Sequence, residues 1–264
     1  MALVVLLGAC GGDREAPAGR TLTVFAAASL VEAFGELAAE LERQDSTLEV
    51  RLNVAGSQQL AGQLVRGAVA DIFAAADREA MQFAAARGLV LEPRVFAHNR
   101  LVVVAARQPE VDMMLVDLLN LATPGLKLVL AAPEVPAGRY AREALRNLSG
   151  APGYGPDFAD RVLGNVVSDE VNVRAVLTKV RLGEAHAGIV YASDVSGPDS
   201  IARREGIRVI PIPDAFGVRA EYVIARLRSV GDSAGAEAFL RLVLGPQGQA
   251  VLARYGFEGV GPGR

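Results

Sequence analysis

From Thr21 onward, short apolar runs alternate with stretches in which apolar residues recur every three or four positions. Strands and helices in turn build an α/β protein, with a largely parallel sheet covered by helices on both faces. Residues 22–27 read as a buried strand, and Ser29 opens a helix with apolar positions at Leu30, Val31, Phe34, Leu37, Ala38 and Leu41. Leu48, Val50, Leu52 and Val54 alternate with polar residues as a half-buried strand should; Gly56-Ser57 then turns the chain into a helix carrying Leu60, Ala61, Leu64 and Val65. Further strands are expected at 71–76, 101–106, 127–132, 187–192, 208–213 and 220–227, enough for two sheets. Residues 233–255 read as helix with a break at Gly245-Pro246, since glycine ends helices and proline starts them. Residues 150–156, GAPGYGP, are dense in helix breakers and read as an exposed loop, not a domain linker. A chain of 264 residues has room for two modest lobes.

A formal net charge of −3, with lysine and arginine scattered, gives no concentrated cationic surface for nucleic acid. Residues 1–12, MALVVLLGACGG, are apolar but too short to span a bilayer. Leu7-Gly8-Ala9-Cys10 resembles the lipobox of bacterial lipoproteins, in which the cysteine thiol takes the lipid and becomes the mature N-terminus. Residues 1–20 are therefore expected to be a lipoprotein signal and tether. No Lys or Arg precedes the apolar run, which points to a start codon further upstream. Cys10 is the only cysteine, so no disulfide supports the fold.

Catalytic chemistry needs a nucleophile with a base, a carboxylate pair or metal ligands. His98 and His186 are the only histidines, and neither stands in a metal-ligand spacing. No phosphate-binding glycine loop and no nucleophile elbow occurs. The chain is read as a binding protein without catalysis. What recurs instead is small or hydroxyl residues where strands give way to helices. There four backbone N–H groups lack intrahelical partners, and the positive end of the helix dipole attracts anions. Ser29 and Ser57 both fit. By spacing alone Ser29 reads first as the cap of its own helix, because Ser29-Leu30-Val31-Glu32 is a capping box. Leu60 stands where Ser57 would need a glutamate, so the Ser57 hydroxyl is expected to be freer for a ligand.

Six segments in order resemble the molybdate-binding proteins of ABC importers: Phe25-Ala26-Ala27-Ala28-Ser29-Leu30, Ala55-Gly56-Ser57-Gln58-Gln59-Leu60, Asp71-Ile72-Phe73-Ala74-Ala75-Ala76-Asp77, Val135-Pro136-Ala137-Gly138-Arg139-Tyr140-Ala141, Asn172-Val173-Arg174 and Ala187-Gly188-Ile189-Val190-Tyr191-Ala192-Ser193-Asp194. The resemblance implies a type II periplasmic-binding-protein fold, two α/β lobes joined by two hinge crossovers near Leu101 and Tyr222. Lobe I would comprise residues 21–100 with 222–264, and lobe II 101–221. It implies an oxyanion, molybdate or tungstate, held between the lobes by neutral donors only: the hydroxyls of Ser29, Ser57 and Tyr191 and the backbone amides near Ala137 and Val173. It implies no cofactor and no directly ligated metal. The partners would be an ABC permease with its cytoplasmic ATPase, reached by an extracytoplasmic monomer held to the membrane through the lipid on Cys10. Two alternatives stay open: a receptor for another oxyanion or a small carboxylate, and an enzyme, since two-lobed folds of this kind also occur in catalysts.

Overall fold

The computed structural model describes residues 19–260 apart from 199 and 230. The first stretch forms β1 (Arg20–Ala27), a 3-10 turn (Ala28–Leu30), α1 (Val31–Gln44), β2 (Leu48–Ala55), α2 (Ser57–Val65), β3 (Ile72–Ala75), α3 (Arg78–Ala85) and β4 (Val90–Asn99). Next come β5 (Leu101–Ala105), α4 (Pro109–Met114), a second 3-10 turn (Leu118–Ala122), β6 (Leu128–Ala131), α5 (Pro136–Ser149), α6 (Phe158–Leu163) and β7 (Val166–Glu170). They are followed by α7 (Val173–Arg181), β8 (Ala187–Tyr191), α8 (Ala192–Val195), α9 (Ile201–Glu205) and β9 (Arg208–Pro211). β10 (Ala220–Leu227), α10 (Ser233–Leu244), α11 (Pro246–Arg254) and β11 (Glu258–Gly259) complete the order.

These strands make two sheets, ordered β11-β4-β10-β3-β1-β2 and β7-β6-β8-β5-β9. The expected strands form, and β4, β7 and β11 join them. Both sheets are mixed rather than largely parallel. β1 runs parallel to β2 and β3, and β6 parallel to β7 and β8; β10 is antiparallel to β3 and β4, and β5 to β8 and β9. The antiparallel strands flank the places where the chain changes sheets: between Asn99 and Leu101 on the way out, and between Pro211 and Ala220 on the way back. Each sheet with its helices is one lobe.

β1 is apolar on both sides because both faces of its sheet are covered. Leu22, Val24 and Ala26 join Phe34 and Leu37 of α1 and Phe239 of α10 in one core, while Phe25 packs with Leu60, Phe73 and Met81 on the opposite face. The first core continues through Phe96 and Tyr222 into Leu101, Val103 and Ile189 of the second sheet, so the lobes share apolar packing at the crossovers. Asp71 is not a ligand candidate. Its carboxylate accepts the N–H of Thr23 at 2.7 Å and of Gly231 at 2.6 Å, tying β1 to the segment before α10. The 150–156 loop is only partly exposed, since Ala151 is buried and Tyr154 stacks edge-on against Phe158 at 4.8 Å. No helix among the described residues is long and apolar enough to cross a membrane. Cys10 lies outside the described residues.

Candidate functional site

Four strands of the two sheets point their C-terminal ends at one place, and each hands over to a helix or turn there. β1 runs into Ala28–Leu30 and α1, β2 into α2, β6 into α5 and β7 into α7. Ligands bind outside the carboxyl ends of the strands in open α/β sheets for this reason. The starts of these helices surround a small cavity lined by Ala27, Ala28, Ser29, Gly56, Ser57, Ala76, Val135, Pro136, Ala137, Asn172, Val173 and Tyr191. All five residues singled out from the sequence, Ser29, Ser57, Ala137, Val173 and Tyr191, are on its wall. The lining comes from both lobes and, among the described residues, contains no charged side chain.

Local structure explains the supply of N–H groups. Pro136 is the first residue of α5, and Ala137, the second, precedes any intrahelical acceptor. Gly138 lets that helix start close to β6; a Cβ there would sit 2.1 Å from the Ala132 carbonyl oxygen. At α7 the Asn172 side chain caps the helix by accepting from the N–H of Ala175 at 3.0 Å, which leaves the N–H of Val173 outside the intrahelical ladder. At Gly56 an added Cβ would meet the Val171 carbonyl oxygen at 2.9 Å, so glycine permits the lobes' close approach there.

The three hydroxyls differ in their surroundings. Ser29 does not cap its helix. α1 starts at Val31 with Leu30 before it and no side-chain cap, and Glu32 turns away to pair with Arg174. The Ser29 hydroxyl instead lies 2.7 Å from that of Tyr222. Ser57 is less free than expected, because its Oγ accepts the N–H of Ala76 at 2.9 Å; its own proton remains available. Tyr191 is buried, and its hydroxyl has no hydrogen-bond partner among the described residues. Burial pushes its phenol well above the ordinary range, so it keeps its proton and can donate.

The cavity is small, with room of about 20 Å³, the scale of one or two waters, which suits a compact ion. A larger hollow of about 460 Å³ beside Arg94, Arg226 and Arg241 lies on the outer side of the first lobe, away from the helix starts. Its arginines share it with Glu92 and Glu237, and it gathers no set of buried donors.

The family described as bacterial extracellular solute-binding protein matches residues 22–258. The chain belongs to that family. This solute-binding protein is 37% identical over 264 residues to the molybdate-binding protein ModA of Mycobacterium tuberculosis, covering 97% of this chain and 94% of that protein. It is 32% identical over 260 residues to ModA of Escherichia coli, covering 94% and 93%. In structure it is similar to the periplasmic molybdate-binding protein of Azotobacter vinelandii, with a TM-score of 0.75 and 20% identity over 92% of this chain and all (100%) of that one.

The solute-binding protein keeps its charges at the rim of the cavity. Arg139 of α5 pairs with Asp77 and, at 3.1 Å, with Glu79, both of the first lobe. Arg174 of α7 pairs with Glu32 of α1 and reaches Asp194 at 3.4 Å. Gln58 adds a neutral bridge from α2, its Nε2 donating to the Val171 carbonyl at 3.3 Å. Arg139 and Arg174 stand inside segments that carry the family resemblance, yet nothing in their spacing indicated that they join the lobes. Tyr222, Asn172 and Ala76 were likewise not recognisable as site residues. The histidines lie elsewhere: His98 faces Glu221 on the first sheet, and His186 Nδ1 accepts the N–H of Lys127.

Proposed function

We propose that this solute-binding protein captures molybdate or tungstate outside the cytoplasm and delivers it to an ABC permease driven by a cytoplasmic ATPase. Its relatives are named for molybdate binding, and the observation that carries the reading is the Tyr191 hydroxyl, buried and unpartnered on a cavity wall that otherwise offers only neutral donors. An unsatisfied buried hydroxyl costs about 1–3 kcal/mol, a cost that an oxyanion accepting its proton removes.

A tetrahedral dianion is desolvated between the lobes and receives charge-assisted hydrogen bonds from Ser29, Ser57 and Tyr191 and from the amides of Ala137 and Val173. Such bonds are roughly twice as strong as neutral ones. The positive ends of α1, α2, α5 and α7 add favourable potential without a counter-charge. A wall made of donors disfavours hydrogen phosphate, whose proton finds no acceptor, and a rigid ring set for long metal–oxygen bonds does not contract onto sulfate. The lobes, 21–100 with 222–264 and 101–221, close over the ion about the crossovers near Leu101 and Tyr222. The protein acts as a monomer, tethered through a lipid on Cys10, and catalyses nothing.

Thermal unfolding with added anions tests the reading. At a thousand-fold excess over Kd, molybdate is expected to raise Tm by about 10 °C, with much smaller shifts from sulfate and phosphate. No shift with molybdate, or an equal one with phosphate, contradicts it; a shift only with another oxyanion or a small carboxylate selects the alternative receptor.

A further inference from the structure

We propose that Tyr222, with Asn99 behind it, is a positioning residue that fixes the Ser29 hydroxyl as a hydrogen-bond donor to the bound anion. The proposal rests on the reading of the cavity as an oxyanion site. Ser29 Oγ and the Tyr222 hydroxyl oxygen lie 2.7 Å apart, and from that distance alone either group is a possible donor. Asn99, the last residue of β4, decides between them. Its Oδ1 accepts the N–H of Arg100 at 2.9 Å, which fixes which way the amide faces. Its Nδ2 therefore points the other way, donating to Ser193 Oγ at 2.8 Å and to the Tyr222 hydroxyl at 3.4 Å.

An amide nitrogen only donates, so the Tyr222 oxygen accepts from Asn99. The phenol proton then has Ser29 Oγ as its acceptor. With the bond reversed, Tyr222 would accept twice and leave its own proton unpaired in a fully buried site, at the cost of an unsatisfied polar group. Ser29 Oγ is thus occupied as an acceptor, and its proton is left for the cavity that it lines. Ser57 reaches the same condition by another route, accepting the backbone N–H of Ala76. Both serines accept from the protein and present a proton to the ligand.

The Tyr222 ring is held edge-on by Phe96, Tyr191 and Phe257, at centroid distances of 6.2, 5.7 and 5.2 Å. Removing only its hydroxyl leaves that packing in place. The relay also sits where the lobes join, since Asn99 and Tyr222 belong to neighbouring strands of the first sheet and Ser193 follows Tyr191 in the second lobe.

The test is a double-mutant cycle of Tyr222→Phe and Ser29→Ala, read by calorimetric titration with molybdate and with hydrogen phosphate. On the unaltered background Tyr222→Phe is expected to weaken molybdate about tenfold, while the response to hydrogen phosphate does not fall in step, because Ser29 regains freedom to accept a proton. On the Ser29→Ala background the same change is expected to cost less than twofold. Equal losses on both backgrounds, or equal losses for both anions, overturn the proposal. If Tyr222→Phe does not fold, Asn99→Ala replaces it: a few-fold loss confined to chains that retain Ser29 supports the relay, and a loss independent of Ser29 overturns it. Failure of the unaltered chain to bind molybdate overturns the reading of the cavity and this proposal with it, whereas binding with additive losses overturns the proposal alone.

Discussion

Neutral donors line the cavity wall, while just outside it the lobes meet through ion pairs, Arg139 with Asp77 and Arg174 with Glu32. In both pairs the arginine comes from the second lobe and the acid from the first. Charge is placed where it favours closure, and fixed dipoles where the anion is chosen. The division has a physical basis. A charged side chain on the wall would attract any dianion of suitable size, and would need compensation of its own buried charge whenever no anion is bound. Donors fixed in number and direction discriminate by geometry and by the protonation state of the ligand.

Placing a charge on the wall breaks this division most severely. Ser57→Asp puts a carboxylate against the dianion, and repulsion of about 4 kcal/mol per unit charge at 4 Å is expected to abolish molybdate binding in titration calorimetry, a loss of more than about a thousandfold. Tyr191→Phe sharpens the comparison with less damage. A hydrogen bond to a charged group contributes about 1.5–3 kcal/mol, so affinity is expected to fall about ten- to hundredfold. Tm without anion should hold or rise, because the hydroxyl removed has no partner among the described residues.

At the rim, Arg174→Gln is expected to weaken molybdate only a few-fold, since partly exposed ion pairs contribute little. Added salt should weaken the unaltered protein more than the variant, which titrations at low and high ionic strength would show. The last effect is on stability rather than on binding and concerns Asp194 beneath that pair. Burial pushes its carboxyl up to about 6, against the opposing pull of Arg174 and of the Tyr191 N–H it accepts at 2.9 Å. Folding thus favours its protonated form. Stability from this residue is present below about pH 4 and is lost as pH rises to about 6. Asp194→Asn, whose amide oxygen still accepts that N–H, should gain Tm relative to the unaltered protein across that window and hold the gain above it.

The elements legible in the sequence were those whose burial leaves a periodic trace. β5 and β8 are buried throughout and β1 from Val24 onward, because both faces of their sheets are covered, and α10 and α11 are punctuated by Gly245-Pro246. β4 was missed because Glu92-Pro93-Arg94 interrupts its apolar run. There the pairing with β10 shifts register and Glu92 adopts φ +46°. β7, VVSDE, is a polar edge strand with no apolar run to find. Ser29 and Ser57 were legible as hydroxyls at helix starts, whereas Ala137, Val173 and Tyr191 were legible only through the resemblance of their segments, because a serine or an amide at a helix start looks the same whether it faces a ligand or its own helix. Ser29 illustrates the difficulty: its capping-box spacing pointed to the wrong partner, while the hydroxyl that engages it lies 193 positions away in sequence. Partners at that separation leave no local pattern.

A crystal structure with molybdate bound tests the neutral-wall account most directly. Oxyanion oxygens within hydrogen-bond distance of the hydroxyls of Ser29, Ser57 and Tyr191 and of the amide nitrogens of Ala137 and Val173, with no cationic side chain in contact, is the expected result. An arginine or lysine nitrogen on the oxyanion, or the ion held in another hollow of the molecule, would contradict it.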